Sequence, residues 1–311
     1  MTDTDKNINN PFTALIRLIF FGNYFYGICA IALSIEASLQ QHFPLNDWLF
    51  YIMAFTLTIL FYTKAYIPHT APKTNNTRSL WYYHNRQLVY RSQVLFTIIL
   101  IGGIVLFAKD NWKAILHLAL SEWLLILAFP IAGAFYYGAD IQAFGKYNLR
   151  KIGWLKPFII GFVWAGLVTI YPAEYHNIQH QMHYIPTFLG SLLFLKNFMF
   201  VTVLCIMFDI KDYANDVNQH LYTFVVKVGL RNTIFYILIP LCILGLGSFL
   251  TYGFTHQFSA MKIVLNTIPF ISLIIVAYSL HRRKQIFYYL VLIDGLMLLK
   301  AVCGTIAMVY F

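Results

Sequence analysis

The sequence predicts an all-α polytopic membrane protein of about nine transmembrane helices, and three observations carry that prediction. Charged residues make up 11% of the 311-residue chain and hydrophobic residues 59%, whereas a soluble globular domain carries roughly 25% charged residues. Apolar runs of about 20 residues, the length that crosses a hydrocarbon core ~30 Å thick, recur from one end of the chain to the other. These runs are continuous instead of alternating with period two, which argues against a β-barrel. An aromatic content of 18% excludes disorder. The length leaves no room for a soluble domain beside a full set of spans, so residues 1–311 are read as one transmembrane domain.

The elements follow in order. The polar start MTDTDKNINNPF leads into a run over 13–38 that is too long for a signal-peptide core and lacks a small-residue cleavage site, so it is expected to be retained as the first span. Further spans are predicted over 47–67, 92–108, 114–137, 157–172, 187–208, 233–254, 262–280 and 286–309. The third and fifth are the shortest. Pro130, Pro240 and Pro269 fall inside spans and predict kinks, which membrane helices tolerate.

Net charge is +10, a value that suggests a nucleic acid or an anionic surface until the cations are sorted by loop. The loop after span two holds Lys64, Lys73, Arg78, Arg86 and Arg91, and that after span four holds Lys146, Arg150, Lys151 and Lys156. Lys211, Lys227 and Arg231 follow span six, and Arg282, Arg283 and Lys284 follow span eight. The alternate loops carry only Lys109, Lys113 and Lys262. Cytoplasmic loops hold the excess of Lys and Arg, so the N-terminus is expected in the cytoplasm and the C-terminus outside. The surplus is topological and no nucleic acid is required.

Cys29, Cys205, Cys242 and Cys303 lie singly inside apolar runs, with no CxxC pair, and read as small buried hydrophobes. The acids are more informative. Asp209, Asp212 and Asp216, in FDIKDYANDVNQH at the cytoplasmic end of span six, have the spacing i, i+3, i+7 that puts three carboxylates on one face of a continuing helix. Like charges so stacked repel, and oxygen-only ligands suit Mg²⁺, which takes one or two carboxylates plus substrate phosphate oxygens. The bland alternative is a solvated acidic face paired with nearby Lys and Arg.

Asp209-x-x-Asp212-x-x-x-Asp216, followed by Thr223-x-x-Val226-x-x-Gly229, resembles the second aspartate-rich motif of the UbiA superfamily of intramembrane prenyltransferases. In KYNLRKIGWLKPFIIGFVWA, Arg150, Lys156, Gly161 and Trp164 are similar to that family's segment between the fourth and fifth spans. The resemblance implies a nine-helix UbiA-type bundle in which Mg²⁺ on Asp209, Asp212 and Asp216 binds the diphosphate of a polyprenyl donor. It implies transfer of the prenyl group to a lipophilic acceptor. Lys64, Arg78, Arg150, Lys156, Lys211 and Lys227 become candidate diphosphate ligands, and Tyr137, Tyr147 and Trp164 candidate residues of the substrate cavity.

The chain departs from the family at the first motif. There is no Asp or Glu from Trp48 to Lys109; the loop reads FYTKAYIPHTAPKTNNTRSLWYYHNR. Two readings follow: Lys64, Arg78 and Arg86 meet the diphosphate charge directly, or the chain is a non-catalytic relative that binds an isoprenoid or quinone or serves as a partner subunit. A secondary transporter is a third class, disfavoured because there is no internal repeat and the acids sit at one face. Glu174, His176, His180 and His183 in PAEYHNIQHQMHY form a weaker outer-face metal candidate, more simply read as a polar loop. Lys196, Asp294 and Lys300 are costly in lipid and are expected to face the bundle interior with partners elsewhere.

Overall fold

The computed structural model describes residues 11–64, 66–67, 77–137, 153–218, 223–255, 257–282 and 284–311. Among them every regular element is helical and there is no strand. In chain order these are α1 (Pro11–Phe21), α2 (Tyr24–Gln40), α3 (Trp48–Lys64), α4 (Thr77–His84), α5 (Arg86–Asp110), α6 (Trp112–Leu116) and α7 (Leu120–Tyr137). Then come α8 (Gly153–Gln179), α9 (Phe188–Asn218), α10 (Phe224–Val228), α11 (Leu230–Thr255), α12 (Ala260–Ser279) and α13 (Ile286–Tyr310). Six of them, α5, α8, α9, α11, α12 and α13, are long and apolar enough to cross a membrane, and α1 with α2 qualifies as a bent pair. Helices α3 and α7 are apolar but shorter. The chain is therefore a multi-pass integral membrane protein.

The residues form two compact units, Met1–Ile31 with Asn46–Leu116, and Ala32–Leu45 with His117–Phe311. In the first, the span expected to run unbroken over 13–38 bends by 60° between α1 and α2. Asn23, at φ 66°, makes the bend; Asn enters the left-handed region more readily than most side chains and stops helices there. Gly22 is required beside it, because a Cβ would meet the Leu18 carbonyl and the Tyr24 ring. Asp47 caps α3 by accepting from the Phe50 amide at 3.1 Å. Helix α5 packs on α3 at Gly103, where Met53 fills the space of a missing Cβ. Its other faces leave Leu95, Ile98, Ile101 and Val105 exposed, as lipid contact requires.

In the second unit α8 and α9 share the most extensive contact. Gly161 lets the helices approach, since a Cβ there would strike Thr202 and come within 2.9 Å of the Phe198 carbonyl. Helix α8 is longer than the 157–172 expected from hydropathy: Glu174, His176 and Asn177 belong to it and are buried, not displayed on a loop. A π turn over Gly166–Ile170 admits the Phe129 ring against Gly166 and leaves the Thr169 carbonyl to accept from Gln41 Nε2 at 3.1 Å. Around this turn Phe129, Ile170, Ala173 and Tyr184 form a core flanked by Phe162, Tyr171 and Phe194. Pro130 cannot donate to the Ile126 carbonyl one turn back; the Tyr171 hydroxyl donates to that oxygen instead, at 2.8 Å.

Candidate functional site

The site is built at the end of α9. That helix continues to Asn218, so Asp209, Asp212 and Asp216 stand on one uninterrupted helix, as their spacing predicts. Past it, the Thr-x-x-Val-x-x-Gly motif resolves into capping chemistry. The Thr223 hydroxyl accepts from the Val226 amide at 3.4 Å and starts α10, and Gly229, at φ 91°, ends it. The short helix presents Lys227, whose ammonium sits 5.3 Å above the Trp154 ring, and Phe158 meets Phe224 edge-on at 6.0 Å. The two segments that carried the sequence resemblance are thus brought together.

Asp209 is 3% exposed and accepts from Lys156 Nζ at 2.7 Å on Oδ1. Its Oδ2 is buried without a hydrogen-bond partner. Asp212, half exposed, pairs with the neighbouring Lys211 at 3.2 Å. Tyr136 and Cys205 lie within electrostatic range of Lys156, and Asp294 within range of Cys205. Sequence reasoning did not connect these three with Lys156 and Asp209. Asp294 alone gave a signal, a buried acid in the last span; nothing local marks Tyr136 or Cys205.

The remaining candidates fall out as follows. Trp164 is 2% exposed, a packed residue of α8. Arg150 and Tyr147 lie outside the described residues, as do the side chains of Tyr137 and Asp216. Lys64 ends α3 in the first unit and is exposed. Arg78, expected on diphosphate, is 5% exposed and engaged as a strut. It donates from Nη1 to the Tyr66 hydroxyl at 3.1 Å and from Nη2 to Asn23 Oδ1 and the Phe21 carbonyl. The Phe21 carbonyl and the Asn23 side chain, both at the break between α1 and α2, hold its guanidinium.

Among the described residues no three His, Cys, Asp or Glu side chains are grouped closely enough to hold a metal ion. At the outer-face candidate, His183 Nδ1 contacts Glu122 at 3.0 Å and His180 Nδ1 contacts the His176 carbonyl at 2.8 Å. Those imidazoles serve local structure. Asp209 and Asp212 offer the donor chemistry that Mg²⁺ takes. The orphaned Asp209 Oδ2 and the half-exposed Asp212 carboxylate are hard oxygen donors, too few for a closed protein cage and of the kind that a cation completed by phosphate oxygens and water would use.

Comparison with the models of known protein families, with curated proteins and with solved structures finds no match to this chain.

Proposed function

We propose that the chain is a UbiA-type intramembrane prenyltransferase, moving a prenyl group from a polyprenyl diphosphate to a lipophilic acceptor. The observation that carries this reading is the Lys156–Asp209 pair, whose buried carboxylate has an unpartnered Oδ2, with Asp212 and Lys211 following on the same helix as Asp209 and Lys227 on the short helix after it. Six helices long and apolar enough to cross a membrane, with the bent pair as a seventh, support a multi-pass bundle; this reading counts the shorter apolar α3 and α7 as its two remaining spans. The cation-rich loops orient the site to the cytoplasm.

In this reading Lys211 and Lys227 meet the diphosphate, and Lys156 holds Asp209 in place while adding its own charge. Mg²⁺ held by Asp209, Asp212 and Asp216 would neutralise the leaving group. The bond between prenyl C1 and the diphosphate oxygen breaks with both electrons leaving on oxygen. A nucleophilic atom of the acceptor supplies the pair for the new bond to C1 and releases a proton to the diphosphate or to water. Arg78 supports the fold, and the acid-free stretch after span two leaves half of the family's metal ligands without counterpart. That absence favours a second reading, a non-catalytic subunit that binds an isoprenoid or quinone.

The test is incubation of the lipid-reconstituted protein with labelled prenyl diphosphates and Mg²⁺, following diphosphate release. Release by the native chain and its loss in Asp212→Asn support the enzyme, because Asp212 is half exposed and its isosteric substitution is expected to leave the fold intact. No release from any donor, or release unchanged in the variant, overturns the enzyme in favour of the binding subunit.

A further inference from the structure

A second charged cluster sits in the membrane-spanning part of the second unit, apart from the residues of the proposed prenyl-transfer site. Glu36 of α2 is fully buried, and its carboxylate receives Lys300 of α13 on Oε2. Its Oε1 accepts from Gln40 Nε2 at 2.9 Å and lies 3.8 Å from Lys196 Nζ of α9. Lys196 also donates to Gln40 Oε1 at 3.1 Å. The seat is constructed: a Cβ on Gly304, one turn beyond Lys300, would stand 2.6 Å from both Cγ and Oε1 of Glu36. Only a glycine lets the carboxylate lie against α13 at this level.

The arithmetic of charge is unbalanced. Two ammonium groups share one carboxylate, and a surplus positive charge is expensive in lipid without a counterion. The two lysines are not equivalent. Lys300 is 5% exposed, fixed on Glu36 and 5.8 Å from the Phe200 ring, so the tight pair is Lys300–Glu36. Lys196 keeps its side chain 24% exposed, with one close acceptor, the neutral Gln40, and a looser approach to Glu36. The surplus therefore resides on Lys196.

Its position sets what reaches it. Lys196 is eight residues past Phe188, the start of α9, which puts its Cα about 12 Å along the helix. Helical side chains lean toward the N-terminus, so the ammonium rises toward that end, where Gln40 closes α2. A headgroup at the bilayer boundary is then within reach of a lysine that snorkels toward it. Lysine presents a compact point charge suited to a phosphate oxygen.

We propose that Lys196 is a phosphate-anion site at the membrane boundary, taking one singly charged phosphoryl group that neutralises the Glu36–Lys196–Lys300 cluster. A phospholipid headgroup and free phosphate share this chemistry. A phosphodiester carries one negative charge, which matches the single surplus.

The full-length protein in neutral detergent is titrated with phosphatidylglycerol, phosphatidylcholine or inorganic phosphate, and the thermal unfolding midpoint is followed by intrinsic fluorescence. Phosphatidylglycerol is expected to raise the midpoint saturably, with phosphatidylcholine inert. In Lys196→Met the midpoint-raising concentration rises at least tenfold or the effect disappears, while Lys196→Arg keeps it. An equal response to inorganic phosphate assigns the site to free anion; a response to the lipid alone assigns it to a headgroup. Without added anion, Lys196→Met unfolds no earlier than the native chain, because the Glu36–Lys300 pair left behind is balanced. A native chain indifferent to both anions overturns the proposal, as does a response preserved in full in Lys196→Met. Should Lys196→Met fail to fold, the native titration and the Lys196→Arg response decide the question.

Discussion

Lys156 and Asp209 are joined at 2.7 Å through one carboxylate oxygen, while the second oxygen of Asp209 is buried and bare. Removing the ammonium strands a buried carboxylate, so Lys156→Met is expected to destabilise the protein by about 2 kcal/mol. This is below the cost for a fully buried pair because the lysine side chain is more than a third exposed. The double variant Lys156→Met/Asp209→Leu recovers most of that loss, since an apolar pair fills the same space without a charge to desolvate. Unfolding midpoints of the four members of the cycle measure the coupling; additive effects would mean the pair does not act as a unit.

At the break between α1 and α2 the chain holds together through side chains. Asn23 Nδ2 donates to the Thr63 hydroxyl and to the Tyr82 hydroxyl, each at 3.0 Å, and Asn23 Oδ1 accepts from Arg78. Asn23→Gly keeps the positive φ but loses these bonds and leaves Arg78 and Thr63 short, an expected cost of about 2 kcal/mol. Asn23→Leu loses the bonds and adds backbone strain, and falls further. Arg78→Lys is not conservative, because one ammonium cannot reach Tyr66, Asn23 and the Phe21 carbonyl with the planar reach of a guanidinium. Chemical-denaturation midpoints rank the three; Arg78→Lys matching the native chain would remove the strut from this account.

Alkali tests the same network. Burial pushes the Tyr82 phenol up to about 12, against the opposing pull of the Arg78 charge, and its hydroxyl donates to the Phe21 carbonyl at 2.7 Å. A phenol whose folded value exceeds its unfolded value near 10 contributes stability that is full below pH 10 and lost as pH rises toward 12. The unfolding midpoint of the native chain should therefore drop across that window more steeply than that of Tyr82→Phe. Tyr82→Phe starts lower, because Asn23 and the Phe21 carbonyl lose a partner. Parallel curves for the two proteins would show that Tyr82 ionises freely.

What the sequence made legible was local. The apolar runs locate the spanning helices, and the i, i+3, i+7 spacing places three aspartates on one helix because both signals are complete within a few turns. The bend at Asn23 was hidden inside an unbroken apolar run, since the residues that fix it lie 40 to 59 positions away. The polar end of α8 reads as loop in the sequence because Glu174 and Asn177 lower hydropathy, although the protein and not water surrounds them. Lys196 and Lys300 were legible as buried cations in need of partners; that Glu36 serves both, across 160 and 264 residues, is a property of packing.

The same distinction predicts the behaviour of Gly161. On sequence it is one small residue in an apolar stretch; in the fold it is the point where α8 rests on α9. A Cβ added there would overlap the Thr202 hydroxyl and stand 2.9 Å from the Phe198 carbonyl. The hydroxyl belongs to a side chain and can be trimmed away, whereas the carbonyl belongs to the α9 backbone and yields only if the helices part. Gly161→Ala is accordingly expected to cost about 2 kcal/mol, and Thr202→Ala in the same chain to restore part of it and not all. Full restoration would place the clash in the side chain alone. No restoration would place it wholly in the backbone, and the unfolding midpoints of the two single variants and the double variant separate these outcomes. Because α8 carries Lys156 and α9 carries Asp209, parting the helices also stretches their ion pair. Gly161→Ala should therefore blunt the effect of Lys156→Met, a coupling that a purely local packing defect would not produce.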